Sequence, residues 1–378
     1  MEPNLTPFEK AKIKVFGVGG GGCNAVSRMV QMGIQGAEFY LVNTDAQSLA
    51  LLQCPNKIQI GSKVTRGLGA GGEPEVGAKA AEESKEELRQ AVAGADMVFI
   101  TCGMGGGTGT GAAPVLAELS KSTNPLTIGI VTKPFRFEGA HRAEQAEAGI
   151  TRMADKADTF IVVPNDRLLD LCDRKVGVED AFKMADDTLR QGVAAITEVI
   201  TKPGQINLDF ADVRAIMRDS GPAWLATAKG QGQNRAVTAA KTAIASPMLE
   251  MSLEGAKSLL FVVTGGNDLT LHEVSDAATT IQQVADPSAN IIFGVRYDQA
   301  MRDEVSLVLV ATGFKNDGRQ RALRMEQWNV PTARNEAELE VPTFLRAPVK
   351  PRASDLVHRD SAYRTVDVAS IGRNGKVR

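Results

Sequence analysis

Short apolar runs alternate with helically spaced stretches through the first half of the chain. The run 13–18 is the first predicted strand, and it stops at Gly19-Gly20-Gly21-Gly22. A helix is predicted over 24–32, then a strand over 38–42 that leads into Asn43-Thr44-Asp45. A glycine-rich stretch at 67–77 precedes a charged helix at 78–93. The strand at 97–102 enters a second glycine run, 103–111, which opens a helix at 112–119. Strands at 126–131 and 159–163 follow. Strands alternating with helices predict a parallel sheet that takes its ligands at the carboxyl ends of its strands.

A long helix is predicted over 178–200, where Phe182, Ala185, Leu189, Val193, Ile196 and Ile200 recur at steps of three and four. Pro203 and Gly204 stop it. Strands at 224–229, 258–264, 290–296 and 305–311 and helices at 235–245 and 270–285 predict a second, smaller α/β domain. The fold class is therefore α/β, with a Rossmann-like N-terminal domain over 12–177, a central helix, a connecting stretch at 201–220 and a C-terminal domain over 221–314. Beyond 314 the periodicity ends and Pro331, Pro342, Pro348 and Pro351 appear. That tail carries 13 Lys/Arg against 8 Asp/Glu, a net charge of +5, whereas the rest of the chain carries −7. Residues 1–11 and 315–378 are expected to be disordered.

Composition narrows the function. Of 378 residues, 43% are apolar, enough for sizeable cores. Aromatics at 5% and a net charge of −2 argue against a nucleic-acid coat. The apolar runs are too short to span a membrane, and the opening MEPNLTPFEKAK lacks a secretory signal, so a cytoplasmic protein is expected. Cys23, Cys54, Cys102 and Cys172 form no C-x-x-C pair, and with three His in the chain neither a zinc site nor a disulfide framework is expected. Glycine is the outlier, with 37 residues gathered in clusters.

Gly17-Val18-Gly19-Gly20-Gly21-Gly22 fits G-x-G-x-x-G between a strand and a helix, and Asp45 ends the next strand where a ribose-binding acid would sit. On this motif alone a nicotinamide-dinucleotide enzyme competes with other phosphate binders. The run Gly105-Gly106-Gly107-Thr108-Gly109-Thr110-Gly111 sits at a second strand-to-helix junction. Two backbone cradles at one sheet edge can wrap a phosphate chain from both sides, and two hydroxyls add donors. No G-x-x-x-x-G-K-[ST] occurs, and Asn56-Lys57-Ile58-Gln59 lacks the acid of the usual guanine-reading motif.

Gly105–Gly111, Gly20-Gly21-Gly22-Cys23-Asn24, Asn207-Leu208-Asp209-Phe210-Ala211-Asp212-Val213 and Ala311-Thr312-Gly313-Phe314 together resemble the tubulin/FtsZ family of polymerising GTPases, with the likeness running over 12–314. The resemblance implies GTP and GDP as ligands, with Mg²⁺ on the phosphates. Gly20, Gly21, Gly22, Cys23 and Asn24 would hold phosphates through backbone N–H groups. Gly105, Gly106, Gly107, Thr108 and Gly109 would form the second cradle, cupping the β- and γ-phosphates. Ala70 and Gly71 would sense the γ-phosphate, and Glu138 and Arg142 would contact ribose and phosphate. The four-residue spacing of Glu138 and Arg142 also fits an ion pair on a helix surface. Asn165, Phe182 and Asp186 would recognise the base, with Asp187 as the neighbouring alternative and Arg28 close by. By pattern alone Phe182 reads as core, and Asp209 and Asp212 read as caps of the next helix.

The resemblance further implies that Asn207, Asp209 and Asp212 form a catalytic loop inserted into the next subunit of a head-to-tail filament. It also implies a role in the division ring, at the inner face of the membrane. Residues 315–337 would be a linker, and Leu339–Arg346 a peptide that docks membrane tethers and division proteins. The basic segment 347–378 exceeds the family pattern, and Trp224 and Lys229 depart from it. A nicotinamide enzyme and a nucleotide-binding module without turnover stand as the competing classes.

Overall fold

The computed structural model describes residues 11–169, 176–201, 209–246 and 253–314. Asn207, Cys172 and both termini with their tail motifs lie outside the described residues. The first half runs β1 (Ile13–Val18), α1 (Gly19–Gln31), β2 (Ala37–Asn43), α2 (Ala46–Leu51), β3 (Asn56–Gln59), α3 (Ser62–Thr65), α4 (Pro74–Glu83), α5 (Lys85–Val92), β4 (Met97–Gly103), α6 (Gly107–Ser122), β5 (Leu126–Lys133), α7 (Ala140–Ala154), β6 (Thr159–Pro164) and α8 (Asn165–Leu169). The second half runs α9 (Val178–Thr201), α10 (Phe210–Met217), β7 (Gly221–Gln231), α11 (Arg235–Ile244), β8 (Ser258–Gly265), α12 (Leu271–Gln282), β9 (Asn290–Tyr297) and β10 (Glu304–Thr312).

The strands order as β3-β2-β1-β4-β5-β6-β7-β10-β8-β9. From β3 to β6 every pairing is parallel. Strand β7 joins the two halves. Its first residues, Gly221–Ala223, pair parallel with β6, and the rest pairs antiparallel with β10. β1 and β4 are apolar runs because helices cover both faces of the sheet. On one face α1, α9 and α10 contribute Val26, Met29, Leu189, Val193, Ile196 and Ile216 to the core. On the other, α4 to α7 contribute Ala80, Leu88, Leu116 and Met153. The second half packs α11 on its sheet through Ala236, Ala239, Ala240 and Ala243.

Three differences from the sequence expectation have physical causes. The glycines do not precede their helices; they form the first turns, since α1 begins at Gly19 and α6 at Gly107. The single helix predicted over 78–93 breaks at Ser84, whose hydroxyl accepts from Gly61 N at 3.1 Å. Helix α7 carried no clear apolar stripe because its buried positions are Ala146, Gly149 and Met153. Gly149 lets it close on α6, where a Cβ would lie 2.4 Å from Thr110 Cγ2.

Helix α9 runs from one edge of the parallel sheet to the other. Near its start, Phe182 packs edge-on against Phe135, two residues past the carboxyl end of β5, with ring centroids 5.3 Å apart. At its end, Thr201 meets Gly36, just before the amino end of β2, where a Cβ would lie 2.6 Å from the threonine side chain. The 24 residues of α9 span about 36 Å at 1.5 Å per residue, from the carboxyl edge of the sheet to its amino edge.

Candidate nucleotide-binding site

β1 and β4 are in register, with Val18 beside Cys102, so both glycine runs leave the sheet at the same level. The two helix starts touch: a Cβ on Gly19 would lie 2.7 Å from Gly109 N. The first four N–H groups of a helix have no intrahelical partner and carry the positive end of its dipole. With Val18 as N-cap, those groups in α1 include the N–H of Gly19, Gly20 and Gly21, and Gly22, Cys23 and Asn24 follow directly. Two such starts in contact form a cradle for a chain of anionic oxygens.

The glycines divide into two kinds. Gly22, Gly107 and Gly109 are packing glycines: a Cβ would meet Thr101 O at 2.2 Å, Ala70 Cβ at 2.8 Å and Gly103 O at 2.7 Å respectively. Gly20, Gly71, Gly72 and Gly106 face open space, with nothing within 4 Å of a Cβ. Gly21 lies between, 3.5 Å from Gly103 N. The open glycines leave free space beside the backbone of this edge, and the packed ones hold the two runs and the loop 67–73 together.

The two threonines of the second run are engaged within the loops. Thr108 Oγ1 pairs with Thr44 Oγ1 at 2.7 Å, and Thr110 Oγ1 accepts from Gly105 N at 2.8 Å. Both side chains are buried, and each hydroxyl ties one loop of this edge to another. Thr44 is a member of this site that sequence reasoning missed. Its signal was a threonine at the end of a strand neighbouring β1.

Ala70 sits on Gly107 at the start of α6, which brings the loop 67–73 over the second cradle. The loop is tied down by Ala46 N donating to Gly67 O (3.1 Å) and by a bridge between Asp45 and Leu68. Asp45 itself caps α2, accepting from Gln47 N and Ser48 N and from the Ser48 hydroxyl. Those hydrogen bonds hold its carboxyl below the usual range. Glu138 and Arg142 make the ion pair their spacing suggested, at 2.6 Å, and Glu138 Oε1 also accepts from Phe135 N. Gly105 packs against the backbone of Arg142, where a Cβ would lie 2.7 Å from the carbonyl oxygen.

A second group gathers between β6, α8 and α9. Asn165 follows β6 directly; it is buried, and its Oδ1 has no hydrogen-bond partner among the described residues. Phe182 is 40% exposed, off the buried stripe of α9, which runs through Ala181, Ala185, Leu189, Val193 and Ile196. This overturns its reading as core. Beside it stands Phe137, 61% exposed and overlooked by sequence reasoning, although the second aromatic of Phe135-Arg136-Phe137 was the available signal. The adjacent acids separate clearly. Asp187 is raised by burial, but hydrogen bonds from Arg190 and Gln191 outweigh this and lower it. Asp186 is pushed up to about 6 by burial, with Arg28 at 3.6 Å opposing the shift.

Asp209 and Asp212 are not brought to this edge. Asp209 caps α10, its Oδ1 accepting from Asp212 N at 2.8 Å. The far end of α10 meets the amino edge of the sheet, where the Thr159 hydroxyl donates to Met217 O and Arg218 Nη1 reaches Pro125 O. No group of three or more His, Cys, Asp or Glu among the described residues could hold a metal ion.

Paired glycine cradles at the carboxyl edge of a parallel sheet, with a buried carboxylate beside an exposed aromatic, define a nucleotide-binding α/β protein of the tubulin-like GTPase class. Residues 12–173 match the model of the Tubulin/FtsZ family GTPase domain, and residues 221–315 match that of the FtsZ family C-terminal domain. The chain belongs to the tubulin/FtsZ family and is a GTPase. It is similar to a solved FtsZ dimer from M. jannaschii at 44% identity, with a TM-score of 0.78 over 81% of this chain and 89% of that one. The GDP-bound CetZ1 monomer of Haloferax volcanii shares the fold at 22% identity and a TM-score of 0.72, over 83% of this chain and 98% of that one. CetZ2 from the same organism, solved as a GTPγS-bound protofilament, has 22% identity and a TM-score of 0.71, over 83% and 96%.

Proposed function

We propose that this chain polymerises head to tail and hydrolyses GTP at the contact between subunits, as the filament-forming component of a division ring. The observation that carries this reading is the separation along α9. The glycine cradles lie at the carboxyl edge of the sheet, and the acids of α10 follow an end of α9 that lies at the amino edge. One molecule therefore holds the phosphates at one edge and the acids at the other. Stacking molecules in one direction sets the acidic loop of each against the phosphates of the next, and such a contact builds open filaments.

In this reading the open backbone at Gly20, Gly21, Gly106 and Gly71 receives the phosphate oxygens. The base lies by Phe182, with Asp186 accepting from the N1–H and 2-amino groups of guanine. Adenine presents neither donor on that edge, so it leaves a buried carboxylate unmatched. The orphaned Oδ1 of Asn165 gains a partner from the same ligand. Asp212 orients the attacking water while Asp209 keeps the loop in place, with Asn207 of the same stretch assisting. Magnesium, carried on the β- and γ-phosphates, would offset the charge that develops during transfer.

The tail extends the reading. Leu339, Val341, Phe344 and Leu345 form an apolar set in a polar segment, suited to docking a membrane-bound partner, and the net charge of the tail favours an anionic surface. The filament would then lie in the cytoplasm at the inner face of the membrane. The nicotinamide reading loses its ribose acid, because the Asp45 carboxylate is engaged in capping α2.

The test follows phosphate release and light scattering together as protein concentration rises. Hydrolysis should turn on at the assembly threshold. A mixture of Asp212→Ala with a Thr108 variant that binds no GTP should recover activity that neither has alone. A rate strictly proportional to concentration, with no recovery on mixing, would reject the shared site.

A further inference from the structure

Helix α7 carries a residue that touches both phosphate-facing loops. With its amide oriented to satisfy its neighbours, Gln145 donates from Nε2 to Gly105 O at 2.9 Å and to Gly72 O at 3.3 Å, while its Oε1 accepts from His141 Nε2 at 3.1 Å. Gly105 leads into the second cradle, and Gly72 belongs to the loop that Ala70 presses on Gly107. The two carbonyls lie 33 positions apart in the chain, and one side chain holds both. Gly72 has nothing within 4 Å of a Cβ; beside it Glu73 packs on Gly107, and at the other end of the loop Gly67 and Leu68 are held by Ala46 N and the Asp45 bridge. His141, one helical turn earlier, fixes which end of the amide faces the carbonyls.

We infer that Gln145 is a positioning residue that couples the loop 67–73 to the second glycine cradle, so that both close together on the terminal phosphate of the nucleotide. It touches no reacting atom in this account. Its two donated bonds add a direct tie from the Gly72 carbonyl to the second cradle and so reduce the ordering cost of GTP binding. GDP, which lacks the terminal phosphate, gains less from that tie. Gln145 therefore sets the preference for GTP over GDP rather than the affinity for guanine nucleotides in general. The inference rests on the reading of this edge as the GTP site.

The experiment measures GTPγS and GDP affinities by equilibrium competition on the full chain and its variants. Gln145→Met keeps the length of the side chain without its donors, and Gln145→Glu sets carboxylate oxygens against two carbonyls. Both should lower the ratio of GTPγS to GDP affinity by about tenfold, the scale of two lost neutral hydrogen bonds, with GDP affinity nearly unchanged. His141→Ala should lower the ratio by roughly threefold, the scale of one weakened bond, and His141→Gln, whose Nε2 can still donate to Gln145, should restore it. Retained GDP binding certifies that each variant is folded. An unaltered ratio in Gln145→Met overturns the inference, and so does an equal loss for both nucleotides, which marks a purely structural role. Failure of the unmodified chain to bind either nucleotide would instead reject the reading of the site.

Discussion

The two edges of the parallel sheet present different materials. At the carboxyl edge the chain offers mainly backbone, the glycines of α1 and α6 and two helix starts in contact, with the Glu138–Arg142 pair at its margin. At the amino edge it offers charge. Asp158 is buried there, accepting from Thr127 N and facing Arg218, while Lys121 pairs with Asp219. Fixed N–H dipoles bind an anion without adding a counterion that must be displaced, and they keep the site open to bases and sugars. Charged side chains bind the chain to itself and leave a few acids near the surface. On the proposed reading the carboxyl edge holds the nucleotide, and the amino edge holds its own loops and presents Asp212.

The largest test of this contrast is Asp212→Ala. GTP affinity should stay near normal while hydrolysis falls by roughly 100-fold or more, the range for losing a positioned proton-transfer group, as measured by phosphate release from assembled protein. An equal fall in GTP affinity would place Asp212 at the carboxyl edge and erase the distinction. Next in size is the difference between two glycines of one run. Gly22→Ala drives a methyl group against Thr101 O and should lower unfolding stability by about 3 kcal/mol, whereas Gly20→Ala, into open space, should cost less than about 1 kcal/mol. Denaturant titration of the two variants reads this directly, and equal losses would remove the division between packing and ligand-facing glycines.

Asp186→Asn should weaken GTP binding by about 1–3 kcal/mol at about pH 7.5, the scale of an unmatched buried polar group. Its pH dependence carries two opposite signs. The folded value near 6 exceeds the ordinary 3.8, so between them the folded chain binds more protons than the unfolded one. Stability from this group therefore declines as pH rises through that window, and the full penalty stands above it. The Asn variant should make the nucleotide-free chain more stable than the unmodified one above about pH 6, with the advantage fading toward 4. GTP affinity of the unmodified chain should fall as pH drops through about 6, because guanine needs the ionised acid, and the variant's should stay flat. The smallest effect is Asp45→Ala. It should cost about 1 kcal/mol of stability, the value of an N-cap, and leave nucleotide affinity unchanged in the same competition assay.

Much of this was legible in the residues. The strands of the parallel sheet read as continuous apolar runs because both faces are buried, and the two glycine runs announced the phosphate edge. The pattern of α9 gave the helix but misassigned Phe182, since a period of 3.6 cannot say where a stripe ends and a platform begins. Helix α7 stayed hidden because small residues, Ala146 and Gly149, do the packing that larger apolar ones usually signal. The loop contacts of Thr108 and Thr110 were not legible, because their partners, Thr44 Oγ1 and Gly105 N, are set by the fold rather than by the glycine run itself. Asp186 and Asp187 are neighbours in sequence, and what separates them is Arg190 and Gln191 on the following turn.

The opposition of the two edges has an arithmetic consequence. On the proposed reading, a row of n molecules contains n nucleotide pockets but only n − 1 junctions where a pocket meets an acidic loop. One terminus always exposes a pocket with no loop against it, and the other a loop with nothing to act on. Turnover per molecule then scales as 1 − 1/n, so a dimer works at half the rate of a long row and a monomer not at all. Nucleotide can be exchanged freely at one terminus only, which makes the two ends of the row chemically distinguishable.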